Sequence, residues 1–110
     1  MKPVFDPVQY KVATKANWNT LASEYHYNWA DQRVGPFKST KELVRITEVR
    51  PDDKVLDVAC GTGVVSKEIS KTLGRNGLLV GIDLSRTALE IAKKSIPFSN
   101  ANFIEMDAEN

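Results

Sequence analysis

Residues 55–63 read Val-Leu-Asp-Val-Ala-Cys-Gly-Thr-Gly, an apolar run broken by one acid that passes directly into a glycine loop. Val55, Leu56 and Val58 have the β-branched and apolar character of a parallel strand buried on both faces. Gly61 and Gly63 permit a sharp turn there and let a ligand come close to the backbone. A second apolar run, Leu78 to Asp83, ends on a carboxylate about twenty residues beyond the loop, the spacing of a nucleoside-binding βαβ unit. Two strands that each run into an acid, separated by a helical stretch, point to an open parallel α/β sheet with its ligand crevice at the strands' carboxyl ends.

The rest of the chain fits that frame. From Gln9 to Arg33, Trp18, Leu21, Ala22, Tyr25 and Trp29 form one stripe of a predicted amphipathic helix, stopped by Gly35-Pro36. Ser39 and Glu42 have capping-box spacing and open a second helix, with Leu43, Ile46 and Thr47 on one face, that ends at the turn Pro51-Asp52-Asp53. Strand one is predicted over Lys54 to Ala59. Val65, Ile69 and Leu73 then line a helix after the loop, with Gly74 and Asn76-Gly77 as its cap and turn. Ser85 N-caps a helix that buries Leu89, Ala92 and Ile96 and stops at Pro97. Asn102 to Met106 is strand three, closed by Asp107.

Right-handed crossovers place the strands in the order 3-2-1. The expected fold class is therefore α/β, a Rossmann-like, partial doubly wound parallel sheet preceded by N-terminal helices. Residues 1–50 form a helical cap segment and residues 51–110 the N-terminal half of the ligand-binding domain. Such a sheet ordinarily continues on the far side of strand one. The expectation is thus a fragment or truncated product, or a chain whose strand-one edge pairs with a second copy or another polypeptide.

Lys plus Arg total 15 and Asp plus Glu 14, a net charge of +1, so the basic field of a nucleic-acid binder is missing and no such partner is expected. Cys60 is the single cysteine and has no CxxC or Cys/His companion, which fits a reducing compartment and gives no zinc site. The N-terminus lacks a signal peptide's apolar region, and no stretch approaches the roughly 18 apolar residues of a membrane span. A cytoplasmic location is expected.

The ligand can be narrowed by charge. A dinucleotide loop reads G-x-G-x-x-G, but here Ser66 holds the third position, and no arginine is placed to meet an added phosphate. Asp57, just ahead of the glycines, repels a pyrophosphate and suits an ammonium group. S-adenosylmethionine carries an ammonium and a sulfonium, a ribose diol and an exocyclic adenine amine, and the carboxylates of Asp57, Asp83 and Asp107 suit these groups. A nicotinamide- or nucleotide-binding domain and a noncatalytic binding or assembly module stay open as alternatives.

Val55–Gly63 resembles motif I of the class I S-adenosylmethionine-dependent methyltransferases. Gly81-Ile-Asp-Leu-Ser85 with Ala88–Lys93 is similar to their second-strand motif and its helix, and Asn102–Glu109 to the segment after strand three. The aromatic-rich opening, Trp18 to Trp29, resembles the ubiquinone/menaquinone C-methyltransferase-like group. The resemblance runs from about Trp18 to the end and departs at Ala59, where many members have glycine. It implies that Asp57 and the backbone of Ala59, Gly61 and Gly63 hold the methionine part. By the same resemblance Asp83 accepts from both ribose hydroxyls, Leu84 packs on the adenine, Asp107 accepts from its amino group and the Ala108 amide meets a ring nitrogen.

The implied activity is methyl transfer to a small-molecule acceptor, without a metal. No catalytic residue can be named, because the acceptor pocket and any base would come from later in such a fold; the chain alone is expected to bind the cofactor weakly, with little turnover. Cys60 lacks a partner base, since the sole histidine is His26 in the first helix, so it reads as a small loop residue and His26 as a surface or packing residue. The Trp18, Tyr25 and Trp29 stripe packs its helix on the sheet or covers the cofactor. Lys67, Lys71, Lys93 and Lys94 belong on solvent faces.

Overall fold

Asp6 fixes where the first helix begins. In the computed structural model, which describes residues 5–25 and 36–109, its Oδ1 accepts hydrogen bonds from the amides of Val8 (3.0 Å) and Gln9 (3.3 Å). Pro7 follows at the first helical position, where its missing N–H costs nothing. The helix, α1, spans Pro7–Tyr25 and so starts two residues ahead of the predicted Gln9. His26, Trp29, Arg33 and Gly35 lie outside the described residues. Among the described side chains, which exclude that of Tyr25, the stripe is a correction: Ala22 is buried, while Trp18 and Leu21 are half exposed.

α2 spans Pro36–Thr47, three residues longer at its start than the capping box predicts. Pro36 opens it, and the Glu42 carboxylate accepts from the Arg45 guanidinium (2.9 and 2.5 Å) instead of reaching back to a cap. Its buried residue is Val44, and Leu43 and Ile46 are exposed, which overturns the predicted face by one position.

Three parallel strands follow: β1 (Lys54–Val58), β2 (Leu78–Asp83) and β3 (Ala101–Glu105), hydrogen-bonded in the order β1-β2-β3. The order is the expected one. The register pairs Asp57 with Gly81 and Ile82 with Ile104, so the carboxyl ends of the strands come to one edge. β1 ends at Val58, not Ala59, because Ala59 takes a φ of 57° that no strand residue adopts. β1 is also not buried on both faces: Val55 and Asp57 are partly buried, whereas Leu56 and Val58 are exposed. β3 starts and stops one residue early, which leaves Asp107 in the loop beyond it.

α3 (Val64–Ser70) and α4 (Arg86–Ser95) connect the strands. The C-cap of α3 is Lys71, not Gly74, which instead donates its N–H to the Pro51 carbonyl (2.8 Å) and accepts from Gly77 (3.0 Å) in the turn that follows. Ser85 caps α4 as expected, its Oγ accepting from the Ala88 amide at 3.2 Å. Leu89, Ala92 and Ile96 are buried with Cys60 and Phe103 in one apolar cluster; Ile69, Leu73, Leu79 and Val44 form the other. α4 packs on β2 and β3, α3 on β2, α2 on α3, and α1 on α4. The architecture is a Rossmann-like open sheet. No helix among the described residues is long and apolar enough to cross a membrane.

Candidate cofactor cleft

The loop after β1 is stitched to the end of β2. The Cys60 amide donates to the Ile82 carbonyl (3.0 Å), and the Gly61 amide donates to Asp83 Oδ2 (2.9 Å). Asp83 Oδ1 accepts from the Ser85 amide at 2.9 Å, so this carboxylate joins the loop to the start of α4. Gly61 (φ 57°) and Gly63 (φ 88°) both sit in the left-handed region. Their surroundings differ: a β-carbon on Gly61 meets nothing within 4 Å, whereas on Gly63 it would lie 2.9 Å from Ile96 Cδ1. Gly61 leaves the backbone open at this point, and Gly63 lets the loop lie against the C-terminal end of α4.

A cleft of about 570 Å³ lies over this junction, within the size range of small-molecule sites. Of the residues expected to bind cofactor, Ala59, Gly61, Asp83, Leu84, Asp107 and Ala108 line it. Asp57 and Gly63 do not: the Asp57 carboxylate accepts from Ser66, and Gly63 faces Ile96 and Ala92 of the α4 end. α1 supplies the opposite wall with Lys11, Thr14, Trp18 and Ala22. Of the aromatic stripe, Trp18 lines the cleft.

Sequence reading did not anticipate four residues here. Ser66, fully buried, donates its hydroxyl to Asp57 Oδ2 at 2.5 Å. Thr62 lines the cleft, and its Oγ1 is buried without a hydrogen-bond partner, a costly arrangement that a ligand would relieve. Lys11 Nζ donates to Asp107 Oδ2 (2.7 Å) and Glu109 Oε2 (2.6 Å), which hold its ammonium above the usual lysine range. Asn19 Oδ1 accepts from Ser85 Oγ (2.6 Å) and from the Thr87 amide (3.3 Å). The only sequence signal was Ser66's position at the missing third glycine; the others depend on where α1 docks.

Burial pushes the Asp57 carboxyl above the usual range and the nearby Asp83 adds to this, while the Ser66 hydrogen bonds oppose both. The same burial, with Asp57 and Asp83, pushes the Cys60 thiol up to about 12, so it is neutral and unreactive at physiological pH. Among the described residues no cluster of three metal-ligating side chains occurs.

Residues 55–110, just over half the chain, match the family model of the methyltransferase domain. The chain is 37% identical over 71 residues to the ubiquinone/menaquinone biosynthesis C-methyltransferase UbiE of Wigglesworthia glossinidia brevipalpis, covering 61% of this chain and 28% of that protein. It is 30% identical over 93 residues to the demethylmenaquinone methyltransferase of Staphylococcus saprophyticus, covering 84% and 36%. The chain thus spans about a third of these relatives' length. Among solved structures, magnesium protoporphyrin IX methyltransferase of Synechocystis with bound SAH superposes with a TM-score of 0.66 at 16% identity, over 88% of this chain and 51% of that one. The Haloferax volcanii methyltransferase in complex with the activator Trm112 gives 0.70 at 17%, over 84% and 40%. The sheet, the glycine loop and the family match agree, and the chain belongs to the methyltransferase-domain family.

Proposed function

We propose that the cleft binds S-adenosylmethionine and that the chain is the cofactor-binding part of a methyltransferase acting on a small, quinone-type acceptor. The observation that carries this is the convergence of Gly61, Asp83, Leu84, Asp107 and Ala108 on one cleft at the strands' carboxyl ends. The open space over Gly61 and the unpartnered Thr62 hydroxyl fit such a ligand. The acceptor class rests on the names of the quinone methyltransferase relatives.

When bound, S-adenosylmethionine supplies a methyl group on a cationic sulfur, and transfer leaves a neutral thioether. The chain's own task is to bind, orient and exclude water. Asp83 keeps lone pairs for the ribose hydroxyls after serving Gly61 and Ser85, because a carboxylate has about four acceptor sites. Leu84 packs on the base, and Asp107, with the Ala108 amide, meets its polar edge beside Lys11. The Ala59 and Gly61 backbone holds the amino-acid end, and Asp57, which does not itself line the cleft, adds negative potential for the ammonium.

In this reading residues 1–50 are the cap and 51–110 the cofactor half, the protein works in the cytoplasm without a nucleic-acid partner, and the β1 edge pairs with a second copy or a partner chain. Isothermal titration tests the central claim. Binding of S-adenosylmethionine that Asp83→Ala abolishes is expected; NAD binding with no S-adenosylmethionine response would overturn it.

A further inference from the structure

We infer that Ser66 is a positioning residue that holds the Asp57 carboxylate in place as an anion for the cationic end of the ligand; this rests on the S-adenosylmethionine reading of the cleft. A serine in the first turn of a helix ordinarily turns its hydroxyl to solvent or to a neighbouring backbone group. Ser66 does neither. It is fully buried in α3, and its hydroxyl reaches across to β1, where it donates to Asp57 Oδ2 at 2.5 Å. Its backbone amide donates to the same carboxylate.

The need for such a donor follows from what surrounds Asp57. The acid is withdrawn from solvent, and the charged group acting on it is another acid, Asp83. Across the loop lies the Cys60 thiol, neutral with its pKa pushed up to about 12. No cation is among the groups that act on Asp57, so the Ser66 hydrogen bonds are what favour its ionised form. An alanine would fill the helix packing nearly as well, so packing alone gives no reason for a buried hydroxyl, which is costly unless paired. The residue that breaks the dinucleotide glycine pattern thereby tunes the acid that distinguishes a cationic ligand from a pyrophosphate.

The test is a carbon-13 NMR titration of the Asp57 carboxyl in the ligand-free chain, assigned with Asp57→Asn, alongside calorimetric titration of S-adenosylmethionine at two pH values, one below the wild-type Asp57 midpoint and one well above it. Ser66→Ala is expected to raise the Asp57 midpoint by about one pH unit, since the bond is to a charged group. It should also weaken binding about tenfold at the pH below the midpoint and much less at the pH above it, with Ser66→Thr restoring both. An unchanged midpoint, or an equal loss at both pH values, overturns the inference. Should wild type fail to bind S-adenosylmethionine, the cofactor reading falls while the Asp57 midpoint still decides the role of Ser66. If Ser66→Ala loses the native spectrum, Ser66→Cys, a weaker donor of similar size, is read by the same criteria.

Discussion

Ala59 sits at φ 57°, where a β-carbon crowds the following carbonyl at a cost of about 1–2 kcal/mol, partly offset by the entropy glycine would lose there. Ala59→Gly is therefore expected to stabilise the chain by about 1 kcal/mol in denaturant titrations, leaving the slope unchanged. Asp57 behaves in the opposite sense to an ordinary ion-paired acid. Its folded pKa is raised, chiefly by burial, so the stability it contributes is complete below the unfolded carboxylate value and is lost as pH rises through the folded one. At neutral pH its ionisation opposes folding. Asp57→Asn should thus raise stability at pH 7, flatten the pH dependence of unfolding above pH 4, and weaken S-adenosylmethionine binding at least about tenfold. A drop in neutral-pH stability would show that the anion is structurally required. Of the cleft lining, Gly61 and Asp83 were legible because loop spacing alone places them, whereas Asp57 and Gly63, read from the same spacing, do not line it. Ser66, Thr62 and Lys11 were not legible, because their roles appear only when α3 and α1 are docked.

α4 begins on a small network: Ser85 Oγ accepts from the Ala88 amide and donates to Asn19 Oδ1, which also takes the Thr87 amide. Ser85→Ala removes the cap and leaves Asn19 short of a partner, with an expected cost of about 1–2 kcal/mol in thermal or denaturant unfolding. The cap itself was legible, as was every strand, because parallel-sheet strands and their caps depend on residues near in sequence. The two N-terminal helices were read less well. Their starts depended on Asp6-Pro7 and on Pro36, and their buried faces are set by tertiary contacts: Val44 lies inward and Leu43 outward because α2 docks on α3. α1 is held over the cleft by polar ties, Lys11 to Asp107 and Glu109, Lys15 to Glu105, and Asn19 to α4, with little apolar burial beyond Ala22. Ion pairs as exposed as these are screened by salt. Raising ionic strength should accelerate amide hydrogen exchange in α1 well before β2, and Lys11→Met should do so at low salt; equal rates in both elements would contradict a polar tether.

At the scale of the molecule, burial is uneven. Leu79, Ala92 and Ile96 are enclosed between the sheet and its helices, yet Leu56 is 59% and Val58 51% exposed on β1, which among the described residues is hydrogen-bonded on one side by β2 alone. An edge strand with apolar side chains and free backbone groups is a template for pairing. Leu43 and Ile46 of α2 add further exposed apolar surface, an arrangement that in soluble proteins marks a contact face. The lining of the cleft, by contrast, comes largely from the loop after β1, the ends of β2 and β3, and α1. Binding and association should therefore be separable. Sedimentation velocity across the micromolar range is expected to show concentration-dependent self-association that Leu56→Lys with Val58→Lys reduces, because charge on an edge strand opposes pairing. Neither residue lines the cleft, so the same double variant should retain S-adenosylmethionine affinity within about twofold, a difference worth less than 0.5 kcal/mol. A wild-type chain that stays monomeric throughout would remove the edge-pairing part of the proposal and leave the cofactor site intact. Parallel loss of association and affinity would mean instead that β1 is held in place by its partner, and that the glycine loop it carries takes shape only in the assembled form.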